Sequence, residues 1–97
     1  MPIKAVRTTL PNGKRTIVVT LTDGAVKRLG GERATTATCV IVSTSARYGL
    51  QINTRTDEAR AQAEAAKMRS GYDCKVDGVA LTTPARPDAI VVHIEED

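Results

Sequence analysis

Residues 3–22 read IKAVRTTLPNGKRTIVVTLT, and this stretch decides the fold. Two runs rich in β-branched residues, 3–10 and 15–22, lie on either side of Asn12-Gly13. Asn-Gly between two such runs is a strong signal for a tight β-hairpin. In the second run, apolar residues alternate with a second set dominated by threonine. The stretch therefore predicts two antiparallel strands with one buried face.

The pattern after this hairpin predicts a short helix and then two more strands. Asp23 is suited to cap a helix over residues 24–29, which Gly30 and Gly31 would end. Residues 35–44 contain the continuous apolar run CVIV, which predicts a strand buried on both faces near the sheet centre. Alternation over residues 48–53 predicts a further strand with one solvated face.

The main helix is predicted over residues 56–70, with Thr54 or Thr56 as its cap and Gly71 after its end. Helical spacing puts apolar residues on two nearly opposite stripes, although a helix on a sheet needs only one. The second stripe is covered either by another part of this chain or by a partner, and both alternatives stay open. The first stripe is Ala61, Ala65 and Met68, and the second, a candidate helix interface, is Ala59, Ala63 and Ala66.

The last third predicts two strands, residues 72–79 and 89–95, joined by a loop that its prolines stiffen. The summed order is β-β-α-β-β-α-β-β. We therefore expect an α+β fold, with residues 1–97 as a single domain. It would have a single mixed or antiparallel sheet of five to six strands, one main helix and one short helix.

The composition excludes several functional classes. The chain has no Phe, no Trp and only two Tyr, so it lacks the aromatic side chains that stack on single-stranded nucleic acids. His93 is the sole histidine, and Cys39 and Cys74 are expected to be two buried free thiols. Neither a zinc site nor a catalytic constellation can be assembled around them. We expect no enzymatic activity, no cofactor and no metal.

Charge is distributed unevenly along the chain. Residues 1–55 carry a balance of +7 and residues 56–97 a balance of −4, which gives the net charge of +3. Either the two signs interleave in space, or the basic part meets an acidic partner, or basic and acidic surfaces of two copies associate. The candidate contacts to a partner or to phosphate are Lys14, Arg15, Lys27, Arg28 and Arg33.

These observations predict a small non-enzymatic binding or accessory protein that docks on a protein partner or on itself, as a homo-oligomer. The alternative is a nucleic-acid-binding accessory protein that uses the basic half. Residues 1–7 lack the apolar stretch of a signal peptide, and no apolar run is long enough to span a bilayer. We therefore expect a cytoplasmic protein that does not bind a membrane. The bias toward Ala, Gly, Pro and Arg is typical of a GC-rich genome and fits a phage-encoded accessory protein.

Overall fold

The computed structural model describes residues 2–97, which form eight strands and two helices. The order is β-β-β-α-β-β-α-β-β-β, so the predicted order and the single sheet are both wrong, whereas the mixed α+β class is confirmed. The strands are β1 (Lys4–Thr9), β2 (Arg15–Thr20), β3 (Val26–Leu29), β4 (Cys39–Ser45), β5 (Gly49–Arg55), β6 (Tyr72–Val76), β7 (Val79–Thr83) and β8 (Ile90–Glu96), and the helices are α1 (Arg33–Thr36) and α2 (Glu58–Ser70).

The hairpin predicted from Asn12-Gly13 is confirmed. β1 and β2 pair antiparallel, from Lys4 opposite Thr20 to Thr9 opposite Arg15. The Leu10 amide donates to the Lys14 carbonyl over 2.7 Å, and Gly13 has a φ of +85° that L side chains rarely adopt. Glycine at this position therefore allows the turn that sets the register of the two strands.

The helix predicted over residues 24–29 is wrong, because those residues form β3, paired antiparallel with β2. Asp23 caps a turn rather than a helix, since its Oδ1 accepts a hydrogen bond of 2.9 Å from the Ala25 amide. Gly24, at φ +87°, then reverses the chain onto β2. Gly30 and Gly31 do not end a helix. They precede the one-turn helix α1. The strand predicted over residues 35–44 therefore begins only at Cys39.

Six strands form the main sheet in the order β3-β2-β1-β8-β4-β5. The sheet is mixed, because β8 runs parallel to β1 and antiparallel to β4. β4 is an interior strand, and the predicted burial of its CVIV run is confirmed, with Cys39, Val40 and Ile41 at 0% exposure. The sheet curls until its two edge strands, β3 and β5, line one groove. Curling encloses the larger hydrophobic core on the inner face.

Helix α2 packs on the outer face of β4 and β8 and forms a second, smaller core there. Asp57, not Thr54 or Thr56, caps the helix, because its Oδ1 accepts a hydrogen bond of 3.2 Å from the Arg60 amide. Ala61 and Ala65 are fully buried, which confirms the first alanine stripe. Gly71 ends the helix at φ +77°.

The strand predicted over residues 72–79 is wrong as one strand, because the chain reverses at Asp77-Gly78. β6 and β7 pair with each other in a separate two-stranded sheet. Asp77 and Gly78 both have positive φ, 52° and 79°, as a two-residue hairpin turn requires. The predicted closing strand, residues 89–95, is confirmed as β8.

Candidate protein-interaction site

We call the β6–β7 hairpin, residues 72–83, the arm. Eight of the ten residues in its two strands are exposed, and both strands make their contacts almost entirely with each other. The arm leaves the main fold after Gly71 and returns to it before β8. An isolated two-stranded hairpin is marginally stable in water, so an arm of this kind gains stability from further contacts.

The arm has one apolar face and one polar face, as its pairing register shows. Asp73 lies opposite Thr82, whose hydroxyl donates to Asp73 Oδ1 over 3.1 Å, and Lys75 lies opposite Ala80. These four residues share the polar face. The apolar face consists of the remaining pairs, Tyr72 with Thr83, Cys74 with Leu81, and Val76 with Val79. Val76 is 52% exposed and Val79 is 60% exposed, so the part of this face near the turn is not covered by the described chain, whereas Cys74 and Thr83 are half-buried.

A groove of about 550 Å³ lies beside the arm, which we call the arm groove. The loop between β4 and β5 forms part of its wall, and Ser45 shapes that loop by accepting hydrogen bonds of 3.2 Å from the Arg47 and Tyr48 amides. The Tyr48 ring is 68% exposed, with the Arg47 guanidinium 5.3 Å from its centroid. The arm contributes Cys74, Leu81, Thr82 and Thr83 to the lining. An exposed aromatic ring and an arginine are the residue types that protein interfaces favour.

The segment that joins the arm to β8 is fastened to the main fold. Arg86 donates to Gln51 Oε1 over 2.7 Å and to Ser43 Oγ over 3.3 Å, and its amide donates to the Met68 carbonyl over 2.6 Å. Asp88 accepts a hydrogen bond of 3.0 Å from the Thr44 amide. Hydrogen bonding by the Thr44 side chain lowers the pKa of Asp88 below its ordinary value. The arm therefore rises from a fixed base.

The five basic candidate residues do not share one groove. Lys14 and Arg15 line one groove and Arg33 lines a second, while Lys27 and Arg28 line a third between the two sheet edges. Arg15 is also engaged within the chain, because its guanidinium lies 3.1 Å from Glu96.

Ion pairs join the basic half of the sequence to the acidic half. Buried Arg7 donates to the Thr35 carbonyl over 2.9 Å and to the Ala37 carbonyl, and it lies 3.4 Å from Glu96. Arg7 is not among the five predicted basic residues, although its position on the same strand face as Ile3 and Ala5 is a signal that it faces inward. The other pairs across the two halves are Lys4–Glu95, Arg15–Glu96 and Arg55–Glu64.

The second alanine stripe faces solvent. Ala59, Ala63 and Ala66 are all exposed, on the side of α2 opposite the buried Ala61 and Ala65. Of the two alternatives for this stripe, cover by another part of the described chain is wrong. A partner on the stripe stays a prediction.

His93 and the two cysteines differ in exposure: Cys39 is buried as predicted, whereas the predicted burial of Cys74 is wrong, because Cys74 is only half-buried. His93 is exposed on β8, with Nδ1 3.5 Å from Glu58 Oε2. Burial raises the pKa of the Cys39 thiol above its ordinary value. Among residues 2–97, no three His, Cys, Asp or Glu side chains cluster in a way that could hold a metal ion. Neither helix in that range has the length and hydrophobicity to cross a membrane.

Comparison with known proteins adds no relative to this description. The chain matches no protein-family model, no curated protein and no solved structure. No relative therefore indicates a function for this chain.

Proposed function

We propose that this chain is a small non-enzymatic protein-interaction domain, and that the arm is the element that docks on a protein partner or on a second copy. The observation that supports this proposal is the uncovered apolar face of the arm, with Val76, Val79 and Leu81 each about half exposed. A contiguous exposed apolar surface on a small domain is typical of an interaction site.

Energetics favour the same use of the arm. Complete burial of a fully exposed Val or Leu side chain contributes roughly 1.5–3 kcal/mol, so each half-exposed side chain of the arm contributes about half of that. The arm offers several such side chains together, and its fixed base at Arg86 lowers the entropy lost on docking. Tyr48, beside the same groove, supplies a large amphipathic contact with few rotatable bonds.

The alternative, nucleic-acid binding, has less support. Phosphate contacts work best as a continuous basic surface, whereas the five candidate residues line three different grooves. Arg15 also has an acidic neighbour in Glu96. A cytoplasmic location stays a proposal, as does a phage-encoded accessory role, which the bias toward Ala, Gly, Pro and Arg favours.

Site-specific photocrosslinking tests the proposal. A photoreactive phenylalanine analogue is placed at Val79 on the arm, and in a control at the exposed Thr22, in the cells that produce the protein. We expect Val79 to give one adduct of defined mass, which Val76→Lys on the same apolar face abolishes, and Thr22 to give none. Absence of an adduct at Val79, or the same adducts from both positions, would contradict an interaction through the arm.

A further inference from the structure

We propose that the occupant of the arm is a second copy of this chain, joined edge to edge through β6 about a two-fold axis at Cys74. This inference rests on the proposed function, because it uses the same arm, but it commits to one partner and to one register. The result would be a four-stranded antiparallel sheet with two strands from each copy.

The first support is the free edge of β6. β6 pairs only with β7, so its other edge has no strand beside it within residues 2–97. The two-residue turn is closed by Val76 opposite Val79, and antiparallel hydrogen bonding alternates from residue to residue along the ladder. Val76, Cys74 and Tyr72 therefore direct their backbone groups toward β7, whereas Asp73 and Lys75 direct theirs outward.

The second support is charge complementarity, which selects one register. An antiparallel β6–β6 pair centred on Cys74 puts Asp73 opposite the partner's Lys75 and, by symmetry, Lys75 opposite the partner's Asp73. Opposite charges directly across two strands stabilise the pair. A shift of two residues either way puts Asp73 opposite the partner's Asp73 or Lys75 opposite the partner's Lys75. A shift of one residue puts the apolar face of one copy beside the polar face of the other.

The backbone pattern requires the same register. Asp73 and Lys75 carry the outward N–H and C=O groups, so the pair they form across the axis is a hydrogen-bonded pair. Cys74 then faces the partner's Cys74 in a non-hydrogen-bonded pair, where Cα atoms lie about 4.5 Å apart. Tyr72 lies opposite the partner's Val76 on the same face. The two apolar faces therefore become one continuous face.

Two other strand edges, those of β3 and β7, lack this complementarity. β3, at one edge of the main sheet, carries Lys27 and Arg28 in its centre, and two-fold pairing there would oppose positive charges. Charged side chains of this kind protect edge strands against association. Ala80 and Thr82 direct their backbone groups toward the outer edge of β7. Neither side chain is charged, so charge pairing specifies no register at this edge. Among these edges, β6 alone combines an apolar face with a self-complementary charge pair.

Charge reversal and mixing test this inference. We expect the wild-type chain to sediment as a dimer across a concentration series. Asp73→Lys and Lys75→Asp each turn two attractive pairs into repulsive ones, which should raise the dimer dissociation constant roughly tenfold or more. An equimolar mixture of the two variants should again dimerise, because each pair then joins Lys to Asp. A variant that fails to fold cannot be rescued by mixing.

Matched controls separate charge from other effects. Lys67→Asp makes the same change of charge as Lys75→Asp at an exposed position on α2, outside the arm, and we expect the dimer to persist. Asp97→Lys makes the same change of charge as Asp73→Lys, also at an exposed position outside the arm, and should likewise leave the dimer intact.

The outcomes distinguish this inference from the proposed function. A monomeric wild-type chain whose Val79 crosslinks to a different protein would overturn the second copy and leave the arm as an interaction site. A monomeric chain with no Val79 adduct would overturn both. A dimer that Asp73→Lys does not weaken, or that the mixed variants fail to restore, would overturn the β6 edge and its register.

Discussion

Gly71 lies so close to Thr83 that a Cβ atom at position 71 would be 2.9 Å from the Thr83 carbonyl oxygen. This contact joins the end of α2 to the end of the arm. Gly71 also has a φ of +77°, where L side chains are strained. The close approach and the positive φ together fix the direction in which the arm leaves the helix.

Gly71→Ala should therefore lower the free energy of unfolding by more than backbone strain alone. Positive φ costs an alanine about 1 kcal/mol or more, and the contact with backbone atoms adds to that cost. Gly24→Ala is the matched control, because Gly24 has a φ of +87° but no atom within 4 Å of an added Cβ. Urea unfolding of both variants measures the difference, and equal losses would show that the close approach is not tight in solution.

Arg7 is predicted to be the most important charged side chain for stability. Arg7→Met keeps an unbranched apolar stem but removes the guanidinium, which leaves the Thr35 and Ala37 carbonyls without their donor. We expect a loss of roughly 2–4 kcal/mol in the free energy of unfolding. Arg28→Met, at an exposed position on β3, should cost less than about 0.5 kcal/mol. Similar values for the two variants would contradict the role of Arg7 in joining α1 to β1.

Asp88 predicts a specific dependence of stability on pH. Its pKa is lowered in the folded state, chiefly by hydrogen bonding from Thr44, so the unfolded chain binds its proton more readily. The contribution of Asp88 is therefore complete above the ordinary value of 3.8 and is lost as pH falls through the lower, folded-state pKa. The difference in unfolding midpoint between the wild type and Asp88→Asn should be constant near neutral pH and shrink in acid. A difference that grows in acid would contradict this sign.

Cys74 offers a covalent test of the β6 register. Treatment with diamide, which accepts the electrons as two thiols form a disulfide, should convert the wild type into a covalent dimer on a non-reducing gel. Cys74→Ser should abolish that product, whereas Cys39→Ser should not, because Cys39 is buried. For comparison, Ala80→Cys in a Cys74→Ser background puts the thiol on β7. Equally rapid crosslinking from that position would argue against a contact through β6.

Local signals in the sequence predicted the confirmed parts of the fold. Asn12-Gly13 specified the first hairpin, and the CVIV run specified a strand buried on both faces. The same kind of signal at Asp77-Gly78 is obscured, because apolar residues continue on both sides of it and the whole run resembles one strand. Asp23 fits a helix cap and a turn equally well, because an Asp side chain accepts a hydrogen bond from a nearby backbone amide in both.

The candidate site depended on information that local patterns do not carry. The order of the main sheet puts β8, the last strand, between β1 and β4, and such distant pairing leaves no mark on neighbouring residues. The uneven distribution of charge is visible in the sequence. The ion pairs of Arg7 and Arg15 with Glu96, however, form only because the sheet puts β8 beside β1. The arm cannot be identified without the pairing of β6 and β7 outside the main sheet.

Hydrogen exchange at β6 is the most direct test of the central claim. The amides of Asp73 and Lys75 point away from β7 and exchange rapidly on a free edge, whereas pairing with a second copy would protect them. We expect their protection to rise with protein concentration, while the outward amides of Ala80 and Thr82 on β7 continue to exchange rapidly at every concentration. If the Asp73 and Lys75 amides exchange at the same rapid rate at all concentrations, the β6 edge is free and the arm does not join two copies.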